Sequence, residues 1–197
     1  MKIIALICVL LAASPFLAGQ QPAPAAQAPA AEQAPVSFSM FLLRAGYFMA
    51  SDSAYTDVYK NGLIYGGELR IGKNRIVGWL EGNYRAETGE FTVTKEKTDV
   101  KVIVVEAGAL YRIIPKALSP YAGAGIGYYM YDEQSGVLPG VKKSQVGFCV
   151  LGGVSYVIGK RIVLDGRVKY SLCKMKPADF DIEIGGLTAG LGFGIKF

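Results

Sequence analysis

The chain has 197 residues, a length that suits one folded domain with some surplus, and its 21 Lys and Arg exceed its 16 Asp and Glu to give a formal net charge of +5. The cations are scattered and never form a run, so the clustered basic footprint of a nucleic-acid-binding protein is missing. There is no histidine, which excludes Ser-His catalysis and any His-containing metal site.

The N-terminal stretch MKIIALICVLLAASPFLAG has one cation, Lys2, an apolar run from Ile3 to Ala13 and then small residues. That is the layout of a secretory signal peptide over residues 1–19, and the run is too short to cross a bilayer as a helix. Cys8 has no small residues just before it, so it reads as part of the signal and not as a lipid-attachment site. Residues 20–35, QQPAPAAQAPAAEQAP, are rich in Pro and Ala and lack periodicity; they predict an extended, semi-stiff linker. Loss of Lys2 with the signal lowers the formal charge to about +4. The folded domain is expected over 36–197.

From Val36 onward apolar residues recur at period two and turn-rich stretches separate the runs. The runs are 37–49, 63–72, 76–87, 100–114, 119–131, 145–158, 161–173 and 184–197, and none has the period of an amphipathic helix. The expected class is all-β: an eight-stranded antiparallel up-and-down barrel. One parity is apolar, as in Phe41, Leu43, Ala45 and Tyr47, or Val146, Phe148 and Val150. The other mixes glycine with charge: Arg44, Glu68, Arg70, Glu81, Arg85, Glu106, Arg112, Asp165, Arg167 and Lys169, interleaved with Gly123, Gly125, Gly127, Gly190, Gly192 and Gly194.

Connections alternate long (50–62, 88–99, 132–144, KMKPADFDIE) and short (KNR, PKAL, GK), as hairpins crossing a membrane would. Three features put the apolar face outward. Glycine is a poor choice for a solvated exterior but leaves room for Arg and Glu in a narrow lumen, where both charge signs can pair. Tyr47, Tyr65, Tyr84, Tyr128 and Tyr170 collect near the long-loop end, and Tyr111, Tyr156 and Phe197 near the other, as two aromatic girdles. About 10 residues per strand, tilted about 40°, cover the roughly 25 Å apolar band of such barrels. Trp79 shares parity with Glu81 and Arg85; it either plugs the lumen floor or marks a slip of parity in its strand. Cys149 and Cys173, on the lumen face of neighbouring strands, predict a diagonal pair near or beyond disulfide reach and are read as two small filling residues.

With its signal, eight hairpin-linked strands, the glycine-alternating LSPYAGAGIGYYMY and a last strand ending in Phe, the chain resembles the small outer-membrane β-barrel superfamily of Gram-negative-type bacteria, of the OmpA-transmembrane-domain and OmpX kind, over residues 36–197. The resemblance implies location in the outer membrane, contact with its lipid, and recognition of the last strand by the barrel-assembly machinery, which would assign Leu191, Phe193, Ile195 and Phe197 to targeting. The glycine spacings of GAGIGYY and GLTAGLGFG have no helix after them and fail as dinucleotide fingerprints. The sequence therefore predicts no catalytic, metal or cofactor site and no nucleic-acid partner. Its expected function is a charge-plugged scaffold whose four surface loops bind an unidentified partner; a narrow channel and a secreted soluble ligand-binding barrel are the alternatives.

Overall fold

A computed structural model describes residues 37–52, 56, 59–90, 97–135, 141–175 and 182–197. The signal peptide and linker expected over 1–35 lie outside the described residues. The strands are β1 (Ser37–Ala50), β2 (Gly62–Lys73), β3 (Ile76–Glu90), β4 (Lys97–Arg112), β5 (Leu118–Ser135), β6 (Val141–Ile158), β7 (Ile162–Leu172), β8 (Lys174–Met175), β9 (Ile182–Glu183) and β10 (Gly186–Lys196). Eight of them close a barrel in the order β1-β10-β7-β6-β5-β4-β3-β2, while β8 and β9 form a separate two-stranded ribbon. Every neighbour in the barrel is antiparallel. Closure joins the first strand to the last, from Met40 opposite Lys196 to Ala50 opposite Gly186, so no backbone edge is left open along this seam.

Tight turns set the register at one end. Lys73 pairs with Ile76 across a two-residue turn in which Asn74 takes a positive φ of 57°, a region Asn tolerates. Ile158 pairs with Ile162 around Gly159, whose φ is 63°.

At the other end the hairpins are longer than the alternation of apolar residues indicates. The stretches 88–99 and 132–144, expected as loops, are partly strand: Thr88 pairs with Asp99, Glu90 with Lys97, and Asp132 with Lys142. The apolar pattern stops where lipid contact stops, but the ladder continues because pairing satisfies the backbone in water as well as in hydrocarbon.

The outward face is apolar and exposed all round, from Leu43 at 62% and Phe148 at 62% to Leu191 at 73%. The inward face is filled in three layers. At the short-turn end Phe38, Met40, Leu42, Val77, Trp79, Leu110, Tyr121 and Leu151 form an apolar floor with Val163 and Cys149. At the long-loop end Phe48, Ile64, Val100, Val102, Val104, Tyr129 and Tyr131 form a second apolar layer, joined by Tyr59, Cys173, Met175 and Ile184. The charged residues lie between them. The lumen face is thus more apolar than a reading of glycine and charge allows.

Trp79 is inward and only 3% exposed, so parity holds in β3 and the residue packs the floor. An added Cβ on Gly125 would stand 2.7 Å from its ring and 2.6 Å from the Ala107 carbonyl. At Gly125 the missing side chain makes room for an aromatic ring, whereas an added Cβ on Gly127 of the same strand would stand 2.8 Å from Glu106 Cγ, the room for charge that the sequence indicates. Cys149 lies opposite Ser171, which puts Cys173 two residues out of register, and both thiols are free and buried.

Candidate functional site

Polar chemistry concentrates in the middle layer of the lumen. Four carboxylates, Glu68 and Asp165 from β2 and β7 with Glu81 and Glu106 from β3 and β4, meet four cations, Arg44 from β1, Arg70 from β2, and Arg167 and Lys169 from β7. The formal charges cancel. Arg44 donates through Nε to Glu68 and through Nη2 to Asp165 Oδ1 at 2.8 Å. Arg70 Nε reaches Glu68 Oε1 at 2.5 Å and Nη1 reaches Asp165 Oδ2 at 3.2 Å. Arg167 bridges Glu68 Oε2 at 3.0 Å and Glu81. Lys169 bridges Glu81 Oε2 at 3.4 Å and Glu106.

Neutral donors complete the shell. Ser155 Oγ and Tyr121 Oη donate to Asp165 at 2.6 and 2.8 Å, and Tyr129 Oη and Asn83 Nδ2 donate to Glu106 at 2.9 and 3.3 Å. Tyr121 Oη also accepts from Arg70 Nη2 at 2.9 Å, with the guanidinium 4.4 Å from the ring centroid.

These bonds cross the barrel. In the closed order β3 and β7 stand four places apart among eight, as do β2 and β6, so Arg167–Glu81 and Arg70–Ser155 each span the diameter. The charged side chains of the belt are at most 6% exposed. Beside it lies a cavity of about 10 Å³ bordered by Arg44, Glu81, Asn83 and Arg167, and nearer the floor one of about 20 Å³ bordered by Arg70, Leu110 and Tyr121. Each has room for about one water molecule.

Two residues expected in the belt stand apart from it. Arg85 sits higher, donating from Nη2 to the Ile184 carbonyl at 3.1 Å and stacking at 3.6 Å on the Phe48 ring. Arg112 sits at the short-turn end, where it donates to Ser119 Oγ at 2.9 Å and stacks on Phe38 at 4.6 Å. Strand position decides this: Arg112 is six residues along β4 from Glu106, too far along the axis to reach it. Conversely, Tyr121, Tyr129, Ser155 and Asn83 join the belt, and for the first three the signal was parity alone, shared with the lumen glycines of β5 and β6.

At the long-loop end, Tyr59 Oη donates to Glu133 Oε1 at 2.6 Å and Tyr131 Oη to Glu133 Oε2 at 2.8 Å, while the Glu183 backbone N–H donates to Asp52 at 3.1 Å. These contacts tie the β1–β2 connection to β5 and β9. On the outside, Tyr47, Tyr65, Tyr84, Tyr128 and Tyr170 ring this end, and Tyr111, Tyr156 and Phe197 the other, all exposed. Residues 5–197 match the family model of the outer membrane protein beta-barrel domain.

The chain belongs to that family. It is an outer-membrane β-barrel of a Gram-negative-type bacterium, and its exposed apolar band faces lipid. A secreted soluble barrel, which would turn its apolar face inward, is thereby set aside. The barrel is similar to OprG of Pseudomonas aeruginosa (TM-score 0.66, 14% identity, covering 82% of this chain and 95% of that one). It is similar also to Neisserial surface protein A (0.54, 18%, 82% and 97%) and to Ail of Yersinia pestis in complex with the heparin analogue sucrose octasulfate (0.51, 19%, 82% and 98%). At these identities the likeness is one of fold. No curated protein matches the sequence. On this outer-membrane barrel Leu191, Phe193, Ile195 and Phe197, assigned to targeting by resemblance, all point to lipid.

Proposed function

We propose that this outer-membrane barrel is a closed scaffold that presents its loop-end surface to partners and neither conducts nor catalyses. The belt carries the reading: ion pairs that span the full diameter and are shielded from water leave none of the belt's own charged groups free to line a water path. An apolar layer on each side of it adds to the seal. A narrow channel, the alternative, needs a continuous aqueous column where Arg70 and Arg167 now cross. Planar-bilayer recording of the refolded protein tests the choice. No unitary conductance is expected, and reproducible single-channel currents would overturn the scaffold.

Function then falls to the loop end. The Ail complex holds a heparin analogue, but here Asp52, Asp99, Asp132, Glu133 and Glu183 intermingle with Lys101, Lys142 and Lys143. A mixed-charge protein surface suits that face better than a polyanion. No catalytic residue, metal or cofactor is assigned. The last strand, with Leu191, Phe193, Ile195 and Phe197, is assigned to recognition by the barrel-assembly machinery. An F197A chain is expected to assemble more slowly in proteoliposomes containing that machinery, and an unchanged rate would remove Phe197 from the signal.

A further inference from the structure

Outside the lumen the charges are sorted by end. At the short-turn end Lys73 closes β2, Arg75 belongs to the β2–β3 turn, Lys116 to the β4–β5 turn, and Lys160 and Arg161 to the β6–β7 turn; all five are exposed. No Asp or Glu occurs in 37–51, 69–80, 107–131, 134–164 or 184–197, so no acidic side chain offsets them. The mild net charge of the chain therefore hides a strongly basic rim.

The height of these cations identifies what they meet. The apolar outer face runs up to the turns without a polar margin: Ile76 is 69% exposed, Ile113 53%, Leu118 55% and Ile162 43%, each within three residues of a rim cation. Arg75 Nη1 donates at 3.0 Å to the hydroxyl of the girdle residue Tyr111. Tyrosines of such a girdle mark the headgroup level. The rim thus sits among headgroups and not clear of them, and long cationic side chains at that depth extend to the phosphates. Short turns of barrels of this family face the periplasm.

We propose that the short-turn rim is a binding surface for anionic phospholipid headgroups of the periplasmic leaflet, with Lys73, Arg75, Lys116, Lys160 and Arg161 as the phosphate partners. A soluble acidic polymer would need cations that stand beyond the bilayer.

The test is electron spin resonance of protein refolded into phosphatidylcholine vesicles with spin-labelled phosphatidylglycerol or phosphatidylcholine. A preference for phosphatidylglycerol in the shell around the protein of about two- to fivefold is expected at low salt, and it falls toward 1 in about 1 M salt. K73Q/R75Q/K116Q/K160Q/R161Q reduces it to about 1 at low salt, whereas K101Q/K142Q at the loop end leaves it unchanged. Heat-modifiable gel mobility establishes folding of each variant; should the five-site variant not fold, K160Q/R161Q must lower the preference in part. No preference in the native protein, its retention in the turn variants, or equal loss in the loop-end variant would overturn the proposal. So would turn-dependent binding of soluble polyglutamate without any lipid preference.

Discussion

Replacing Glu68 with glutamine removes one negative charge from a belt that is otherwise neutral. Glu68 accepts from Arg44, from Arg70 at 2.5 Å and from Arg167 at 3.0 Å, and its side chain has no exposure. Glutamine keeps the shape but turns one oxygen into a donor that faces guanidinium donors, and leaves an uncompensated positive charge in a dry layer. Breaking one partner out of such a buried group costs about 3–5 kcal/mol, on the order of 10²–10⁴ in the folding constant. Equilibrium urea unfolding in lipid vesicles, under conditions where folding is reversible, reads the loss directly. E68Q/R167Q restores neutrality, with Arg44, Arg70 and Lys169 against Glu81, Glu106 and Asp165, so the double variant should be more stable than the sum of its singles by about 1 kcal/mol or more. A cost for E68Q below about 1 kcal/mol, the scale of a solvent-screened surface pair, would refute the claim that the belt is dry, and so would strict additivity.

Three further outcomes follow from the faces. Leu43, 62% exposed and paired with Phe193 midway between the girdles, should cost about 2–4 kcal/mol as L43R in the same unfolding assay; a change below about 1 kcal/mol would move it off the lipid midplane. Trp79, the single tryptophan, is sealed in the lumen, so brominated lipid should barely quench its emission while W79F/L80W is strongly quenched; equal quenching would contradict the parity of β3. Just past the end of β7, burial pushes the Cys173 thiol up to about 11, with Arg85 opposing and Glu183 adding to the rise. In a C149S background its alkylation should climb about tenfold per pH unit from pH 8 toward 11, and a plateau near 9 would show an open thiol. The sign for stability follows: the folded value lies above the unfolded one of about 8.5, so this contribution is full below pH 8.5 and is lost as pH rises toward 11.

The fold was legible because a barrel repeats one rule along the whole chain. Period two, with Leu43 out and Arg44 in, names the face of every residue once a single strand is oriented, and the girdle tyrosines orient it. What period two does not carry is height and azimuth. Arg44, Arg85 and Arg112 look alike by parity, yet one joins the belt, one stacks on Phe48 above it and one stacks on Phe38 below it. Their levels depend on the register between strands, which the turns set locally and closure sets globally. The same applies to partners: Arg167 meets Glu81 because β7 and β3 end up four places apart around the ring, a relation that exists only after Met40 has found Lys196. Local pattern also named only part of the purpose of the β5 and β6 glycines: Gly127 leaves room for Glu106 as the charge pattern indicates, but others serve rings. Gly125 leaves space for Trp79, and Gly153 for Tyr121, whose hydroxyl would lie 2.6 Å from an added Cβ. These rings arrive from strands that are not the glycine's own, so the need for glycine is written in one strand and its reason in another. A barrel this narrow couples each inward residue to strands opposite as well as adjacent, and for that reason the interior charges and rings must be balanced as a set, whereas the lipid face can be read one residue at a time.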